Sequence, residues 1–323
     1  MEKVFIFPDY ASNLVIMLKR KVVLRIFDYL EDETILPNFD RSVNEETSMK
    51  NTIALIQKCN FGAVVVLTIV YLLTITCWYF TRFTKWPYGV FWEIVNYDVS
   101  VVLNCIFYLV VCHNYFGLHA MFITLLYHIQ LHLNNLQSCI ETLVNTEIQH
   151  DLQNLTSVPV NHFDWKHTQF QVKKIVSYHV TIYNISKDID EAFRYCYLLC
   201  FVIITIILCF TVYDIVFAST ATISYLLQIV YTFILIFTIL TICYHGNQVT
   251  VKSLEVADTC YELNFIGSDI RLQKILIILM QRSQRPIIMR IGKFAPLSFA
   301  TAVGILKAAY SYLMLLQNMY EKK

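Results

Sequence analysis

No Lys, Arg, Asp or Glu occurs between Lys58 and Arg82, and residues 61–80 read FGAVVVLTIVYLLTITCWYF. A helix needs about 20 mostly apolar residues to cross the roughly 30 Å hydrocarbon core of a bilayer. Trp78 and Tyr79 stand at one end of this run, where membrane helices place interfacial aromatic residues. The sequence therefore predicts a membrane-spanning helix at 61–80.

Further segments of the same character predict further spans. They lie at residues 99–125, 195–213, 223–243 and 294–320. The span at 99–125 contains Asn104 and His113, so one of its sides is expected to face protein or water. The last span contains a single charge, Lys307. We predict an all-α, polytopic transmembrane helix bundle, about five spans in a single domain over residues 1–323.

Composition excludes several classes of function. The chain is 57% apolar and 15% charged, with a mean hydropathy of +0.53, which is far more apolar than a soluble domain. The formal net charge is only +1, and the Lys and Arg residues are scattered between apolar segments. The sequence therefore lacks the clustered basic residues of a nucleic-acid-binding surface. The ten cysteines include no CxxC pair and mostly lie in apolar runs, where Cys acts as a small hydrophobe.

Catalytic and metal motifs are also not found in the sequence. It contains no Gly-rich phosphate loop, GxSxG or HExxH. His128 and His132 have the i, i+4 spacing of a metal pair, but no nearby carboxylate or Cys completes such a site. We therefore expect no enzyme activity, no cofactor and no metal.

The distribution of basic residues predicts the orientation. Alternate segments outside the spans hold 20 against 4 Lys and Arg residues, and cytoplasmic loops are the ones enriched in them. This asymmetry puts the N-terminus, residues 126–194 and residues 244–293 in the cytosol and the C-terminus outside, the reverse of a G-protein-coupled receptor. The glycosylation patterns at Asn154 and Asn184 then fall on the cytosolic side, where they test the orientation.

A set of motifs near the C-terminus is specific only in combination. The set consists of Gly246-Asn247, then Ser253, Ala257 and Tyr261, then Arg282-Ser283-Gln284 with Pro286, then Gly292, Pro296-Leu297 and the run Leu306 to Tyr312. Together they resemble the C-terminal region of the insect odorant receptor family. Asn264 departs from the pattern, because many members place a Trp near that position.

The resemblance implies seven spans, which is more than the sequence predicts. The first family span is then missing, and the second survives at most as Met1 to Leu18. The expectation is a tuning-type receptor shortened at its N-terminus, either as a short isoform or as a truncated gene model.

The resemblance also implies a function. Family members form tetrameric cation channels in which a tuning subunit assembles with the odorant co-receptor, and residues 244–293 would form a cytosolic anchor. The last helix would line the pore at the plasma membrane. By motif alignment Ser311, Leu315 and Asn318 are the gate positions, where a ring of Leu315 would close the pore by dewetting. A Leu that merely packs in a membrane helix remains an equal alternative.

Ligand binding is expected in the outer half of the bundle. Aromatic residues near the outer ends of the predicted spans are the candidates: Trp78, Tyr79, Trp92, Tyr97, Tyr213 and Tyr225. They offer apolar area with a polar tip, which suits a small volatile molecule with one oxygen. The same residues also suit an interfacial belt.

Three alternatives stay open at this level. A gustatory receptor of the same superfamily is favoured by Ser311-Tyr312 with Gln317, although Asn318 stands where that branch has Phe. A receptor fragment that inserts without conducting is a second. A secondary transporter would need internal repeats, and the two halves of the sequence show none.

Overall fold

The computed structural model describes residues 20–31, 117–143, 165–217, 223–263 and 269–321, together with positions 54, 58, 62, 65, 68 and 69. These residues are helical apart from one short hairpin and the turns around it. The predicted spans at 61–80 and 99–125 are described only in part. Positions 62, 65, 68 and 69 of the first and residues 117–125 of the second are helical.

The helices follow in chain order. They are α1 (Arg20–Glu31), α2 (117–143), α3 (Trp165–Phe217), α4 (Ile223–Glu262), α5 (Ile270–Ser283) and α6 (Phe299–Glu321). Strands β1 (Arg290–Ile291) and β2 (Ala295–Pro296) form an antiparallel hairpin between α5 and α6. At about 1.5 Å per residue, α3 is roughly 80 Å long and must extend far beyond a bilayer core.

Two described helices are long and apolar enough to cross a membrane by length and composition. These are α3 between Thr168 and Tyr213 and α4 between Gln228 and Glu262. A shorter apolar stretch, Phe299–Leu315, lies in α6. Helix α6 begins five residues after the expected start of its span, because residues 290–296 form the hairpin instead.

Side-chain pairs set the direction of each helix relative to its neighbours. The rings of His119 and His132 on α2 hydrogen-bond the hydroxyl groups of Tyr197 (3.2 Å) and Tyr178 (2.9 Å) on α3, so these helices are antiparallel. His132, which has the i, i+4 spacing of a metal pair with His128, is thus hydrogen-bonded to a tyrosine.

Helix α4 runs in the same direction as α2. The amides of Gln130 and Gln137 on α2 donate to the carbonyl oxygens of His245 (3.2 Å) and Lys252 (3.4 Å), and both pairs of residues are seven apart. Seven residues make two helical turns, so both bonds form along one parallel contact line. The directions of α2, α3 and α4 therefore alternate, as in a chain that crosses a membrane repeatedly.

Part of the buried core lies where α2 meets α3. Phe122 contacts Phe193 and Tyr197 with ring centroids 5.0 and 4.2 Å apart, and all three side chains are buried. Aromatic pairs at such distances add specific stability to the area they bury. This cluster fixes α3, which carries part of the candidate site.

Candidate functional site

The segment that links α5 to α6, residues 284–298 and called the connector below, lies against both α3 and α4. On the α4 side the contact is polar. The hydroxyl of Thr250 donates to the carbonyl oxygen of Ile287 (3.0 Å), and the Ile287 N–H donates to Ser253 Oγ (2.9 Å). Both backbone groups of a buried residue are thus satisfied by side chains, although no strand pairs with it.

One turn before Thr250, the connector approaches α4 so closely that only glycine fits. A Cβ atom at Gly246 would stand 2.5 Å from the Cβ of Leu297. Leu297 is itself buried, and its N–H donates to the carbonyl oxygen of Met289 (2.8 Å) across the hairpin. Gly246, Thr250 and Ser253 lie at i, i+4 and i+7, which is one face of the helix.

On the α3 side the connector contacts a buried carboxylate. Asp190 is 8% exposed, and its Oδ1 accepts a hydrogen bond of 2.8 Å from the backbone N–H of Arg290. Its other oxygen forms an ion pair with Arg194, one turn further along α3. The carbonyl oxygen of Arg194 accepts from the N–H of Gly292 (2.9 Å). The connector is thus tied to α3 at two backbone positions.

Gly292 is required at the hairpin for two reasons. Its φ of +60° lies in the left-handed region, which other residues adopt only at a cost. A Cβ there would also meet the end of the Leu198 side chain at 2.9 Å. We call Asp190, Arg194 and Leu198 on α3, with Gly246, Thr250 and Ser253 on α4, the connector clamp.

The three predicted gate residues lie on the exposed side of α6. Leu315 is 56% exposed, and Ser311 and Asn318 are exposed on the same face. The side that packs against the rest of the chain carries Ala302, Ala309 and Leu313. A helix that is apolar yet mostly uncovered requires lipid or partner helices around it.

Helix α5, within the predicted anchor, has one buried and one open apolar side. Asp269 caps its start by accepting from the N–H of Arg271 (2.7 Å). Leu272, Leu276 and Leu279 are buried, whereas Ile278 is 63% exposed. Helix α5 thus leaves one apolar face uncovered.

A cavity of about 420 Å³ lies between α5 and α3. Val180, Tyr183 and His179 from α3 and Ile278 and Arg282 from α5 are among its lining residues. The guanidinium of Arg282 lies 4.1 Å from the Tyr183 ring centroid, a cation–π contact. Burial lowers the pKa of His179 below its usual 6.5, and the charge of Arg282 lowers it further.

The predicted ligand-binding aromatics are mostly beyond the structure's reach. Trp78, Tyr79, Trp92 and Tyr97 lie outside the described residues. Tyr213 is half-buried near the end of α3. The backbone of Tyr225 is helical in α4 and its side chain is not described. Their role in ligand binding stays a prediction.

Sequence reasoning identified some of the clamp and missed the rest. Gly246 and Ser253 of the clamp, and Gly292 of the connector, belong to the motif set described above, and the structure gives each a physical role. Asp190, Arg194 and Thr250 were not identified, because their partners include backbone groups far along the chain. The only sequence signal was that Asp190 and Arg194 are opposite charges one turn apart.

Comparison with known proteins agrees with this fold. The family model described as 7tm Odorant receptor matches residues 14–310. The chain therefore belongs to the odorant receptor family, a family of multi-pass membrane receptors and not of enzymes. The predicted family is confirmed, and so is the all-α transmembrane bundle of odorant-receptor type.

Individual relatives support the same assignment. The chain is 22% identical over 160 residues to putative odorant receptor 92a of Drosophila melanogaster and 29% identical over 148 residues to odorant receptor 22c of the same fly. The matches cover 50% and 46% of this chain but only 38% and 36% of those receptors.

Solved structures extend the likeness to almost the whole chain. The olfactory receptor OR5 of Machilis hrabei in complex with eugenol superposes with a TM-score of 0.78 at 14% identity. The superposition covers 98% of this chain and 81% of that receptor. At this identity the likeness concerns the fold.

Proposed function

We propose that the chain is a tuning subunit of a heteromeric, odorant-gated cation channel in the plasma membrane. The observation that carries the proposal is the exposed face of α6. Ser311, Leu315 and Asn318 are uncovered on a helix whose opposite side is packed on its own subunit. A ring of subunits that turned this face inward would create a narrow, partly apolar passage.

The chemistry of this face suits a cation gate. Rings of Leu315 would exclude water from the closed pore, and Asn318 and Ser311 would present uncharged oxygens to a permeating ion. Lys307 is exposed one turn before Ser311, and its long side chain would extend toward the cytosolic boundary, because a cation pore gains little from a fixed positive charge. The family membership and the apolar surface of α6 support this assignment over that of a soluble or catalytic protein.

The uncovered side of α5 supports assembly. Ile278 and its exposed apolar neighbours belong to a helix too short to span a bilayer, and partner helices would cover them. Residues 244–293 carry most of the basic excess near the C-terminus, which favours a cytosolic position. We infer that this face packs against an odorant co-receptor in a hetero-tetramer.

The ligand proposed is a small, volatile, largely apolar molecule. The walls of its site would come from the outer ends of the spans, including Tyr213 at the far end of α3. Binding there would shift a pre-existing equilibrium between closed and open states. The cytosolic N-terminus and extracellular C-terminus follow from the charge distribution described above.

Expression alone and together with an odorant co-receptor tests the proposal. We expect surface delivery and a cation current in response to volatile ligands only with the co-receptor, and a different ligand range from that of the co-receptor alone. Surface delivery without any ligand-evoked current would support the non-conducting alternative instead.

A further inference from the structure

The start of α6 is tied to the two longest described helices. Backbone groups of Arg290 and Gly292 are bound by α3, and those of Ile287 by α4. Leu297 is wedged against Gly246. The first buried residue of α6 is Ala302, which is fully covered. This end of the pore helix therefore has a fixed position relative to α3 and α4.

Towards the other end of α6, the face that carries Leu315 stays exposed. Past Leu313, which is buried, Met314 is 39% and Leu315 56% exposed, and Asn318 is exposed as well. Leu315 lies 16 residues after Phe299, or about 24 Å along the axis at ~1.5 Å per residue. A tilt of about 10° about the tied end would move Leu315 by about 4 Å.

The clamp and the outer ends of the spans lie on the same unbroken helices. Asp190 and Tyr213 both belong to α3, and Gly246 belongs to α4, which begins at Ile223. No strand or turn interrupts either helix between these points. The clamp thus provides a fixed base about which the far end of α6 can move.

Asp190 is the electrostatic centre of this base. Its side chain is 10% exposed and serves both the Arg290 N–H and the Arg194 guanidinium. Without the carboxylate, the partly buried Arg194 guanidinium, whose side chain is 20% exposed, loses its partner, which is costly. Asp188 provides a contrast two residues earlier, because it is 23% exposed and its nitrogen–oxygen distance to Arg25 is 3.9 Å.

We propose that the connector clamp is the fixed pivot of the pore helix and that Asp190 is a positioning residue of the gate. The inference rests on the proposed channel function, and it assigns Asp190 a role that acts through α6 and not through ligand or ion contact. In the closed state the clamp sets the angle at which Leu315 meets its counterparts. A loosened pivot lets the gate residues separate without ligand.

The test uses the full chain expressed with an odorant co-receptor. For each variant we would measure the surface amount, the ligand-independent current and the maximal evoked current. We expect Asp190→Asn to reach the surface and to raise the ratio of ligand-independent to maximal current at least about fivefold, the scale of one lost hydrogen bond. Asp190→Glu should restore part of the ratio, and the control Asp188→Asn should leave it unchanged.

A second variant covers the case in which Asp190→Asn fails to reach the surface. Thr250→Val keeps the side-chain shape and removes the hydroxyl that donates to the Ile287 carbonyl (3.0 Å) and, within α4, to the Gly246 carbonyl (3.3 Å), and it should raise the same ratio. A normal ratio in every clamp variant that reaches the surface would overturn the pivot while leaving the channel function intact. A wild-type chain that is delivered with co-receptor and gives no evoked current would overturn the channel function, and the pivot with it.

Discussion

Gly246 of α4 and Leu297 of the connector lie so close together that a Cβ on the glycine would stand 2.5 Å from the Cβ of the leucine. The atom it would meet is at the root of the Leu297 side chain, so no rotamer change relieves the overlap. The contact therefore forces a choice between glycine and a displaced connector.

Gly246→Ala is expected to destabilise the protein by about 1–3 kcal/mol, the usual cost of overpacking a filled interior. The control is Gly304→Ala on α6, where an added Cβ meets nothing within 4 Å. In that open helical position alanine is the better helix former, by roughly 1 kcal/mol. The test is the thermal stability of the two detergent-solubilised variants, measured by size-exclusion chromatography. Equal stability of the two variants would contradict the close contact.

Ser253→Ala tests the bond that satisfies the connector. It leaves the buried N–H of Ile287 without the acceptor that now lies 2.9 Å away, at an expected cost of about 1–3 kcal/mol. Thr259→Ala on the same helix is the matched control, since the hydroxyl of Thr259 bonds the Glu255 carbonyl of its own helix. If Thr259→Ala loses as much stability as Ser253→Ala, the lost bond to the connector is not the cause of the destabilisation.

Acid should weaken the contact between α3 and α5. His179 has its pKa lowered by burial and by Arg282, so the folded state binds its proton less readily than the unfolded state. The stability that neutral His179 provides is complete above its unfolded pKa of 6.5 and is lost progressively as the pH falls below that value. His128 and His245 act in the same direction, because burial lowers their pKa values too.

Melting curves of the solubilised protein between pH 8 and pH 5 measure this loss, with the window chosen around the ordinary histidine pKa of ~6.5. His179→Gln and Arg282→Gln should each show a smaller decline than the wild type. Lys274→Gln removes an exposed charge from the same helix and should follow the wild type. If both His179→Gln and Arg282→Gln lose stability with falling pH as the wild type does, the cavity between α3 and α5 does not contribute to the acid sensitivity.

Orientation is tested by tags and glycan. We expect an antibody to reach a C-terminal tag on intact cells and an N-terminal tag only after permeabilisation. Asn184 is exposed on α3, but the pattern's third residue, Ser186, is buried and donates to the Ile182 carbonyl oxygen (2.7 Å). A glycan on Asn184 would show that the orientation is the reverse of the one predicted, and it would contradict the proposed pore assignment.

The apolar segments were the easiest part of the fold to predict, because a long uncharged run has few alternatives to a helix. The helices of the 195–213, 223–243 and 294–320 segments are present, although α3 begins at Trp165 and α4 continues to Glu262. These extensions are harder to predict, because polar helices have no length set by a bilayer. The hairpin at 290–296 was missed for a different reason: its stability comes from α3 and α4 and not from its own two-residue strands.

The candidate site likewise has one part that the sequence predicts and one part that it does not. Ser311, Leu315 and Asn318 share a face by simple helical spacing, and the structure leaves that face uncovered. Asp190 acts on a backbone group 100 residues away. No local sequence pattern specifies such a distant partner, so the clamp could be identified only from the three-dimensional structure.

The most direct test of the channel assignment is chemical access to Leu315 in the open state. Leu315→Cys, expressed with the odorant co-receptor, should lose its odorant-evoked current when a charged, membrane-impermeant thiol reagent is applied. The matched control Leu313→Cys places the thiol on the buried side of α6 and should be unaffected, as should the wild type with its native cysteines. An evoked current that survives the reagent in Leu315→Cys would contradict the assignment of this face of α6 to the pore.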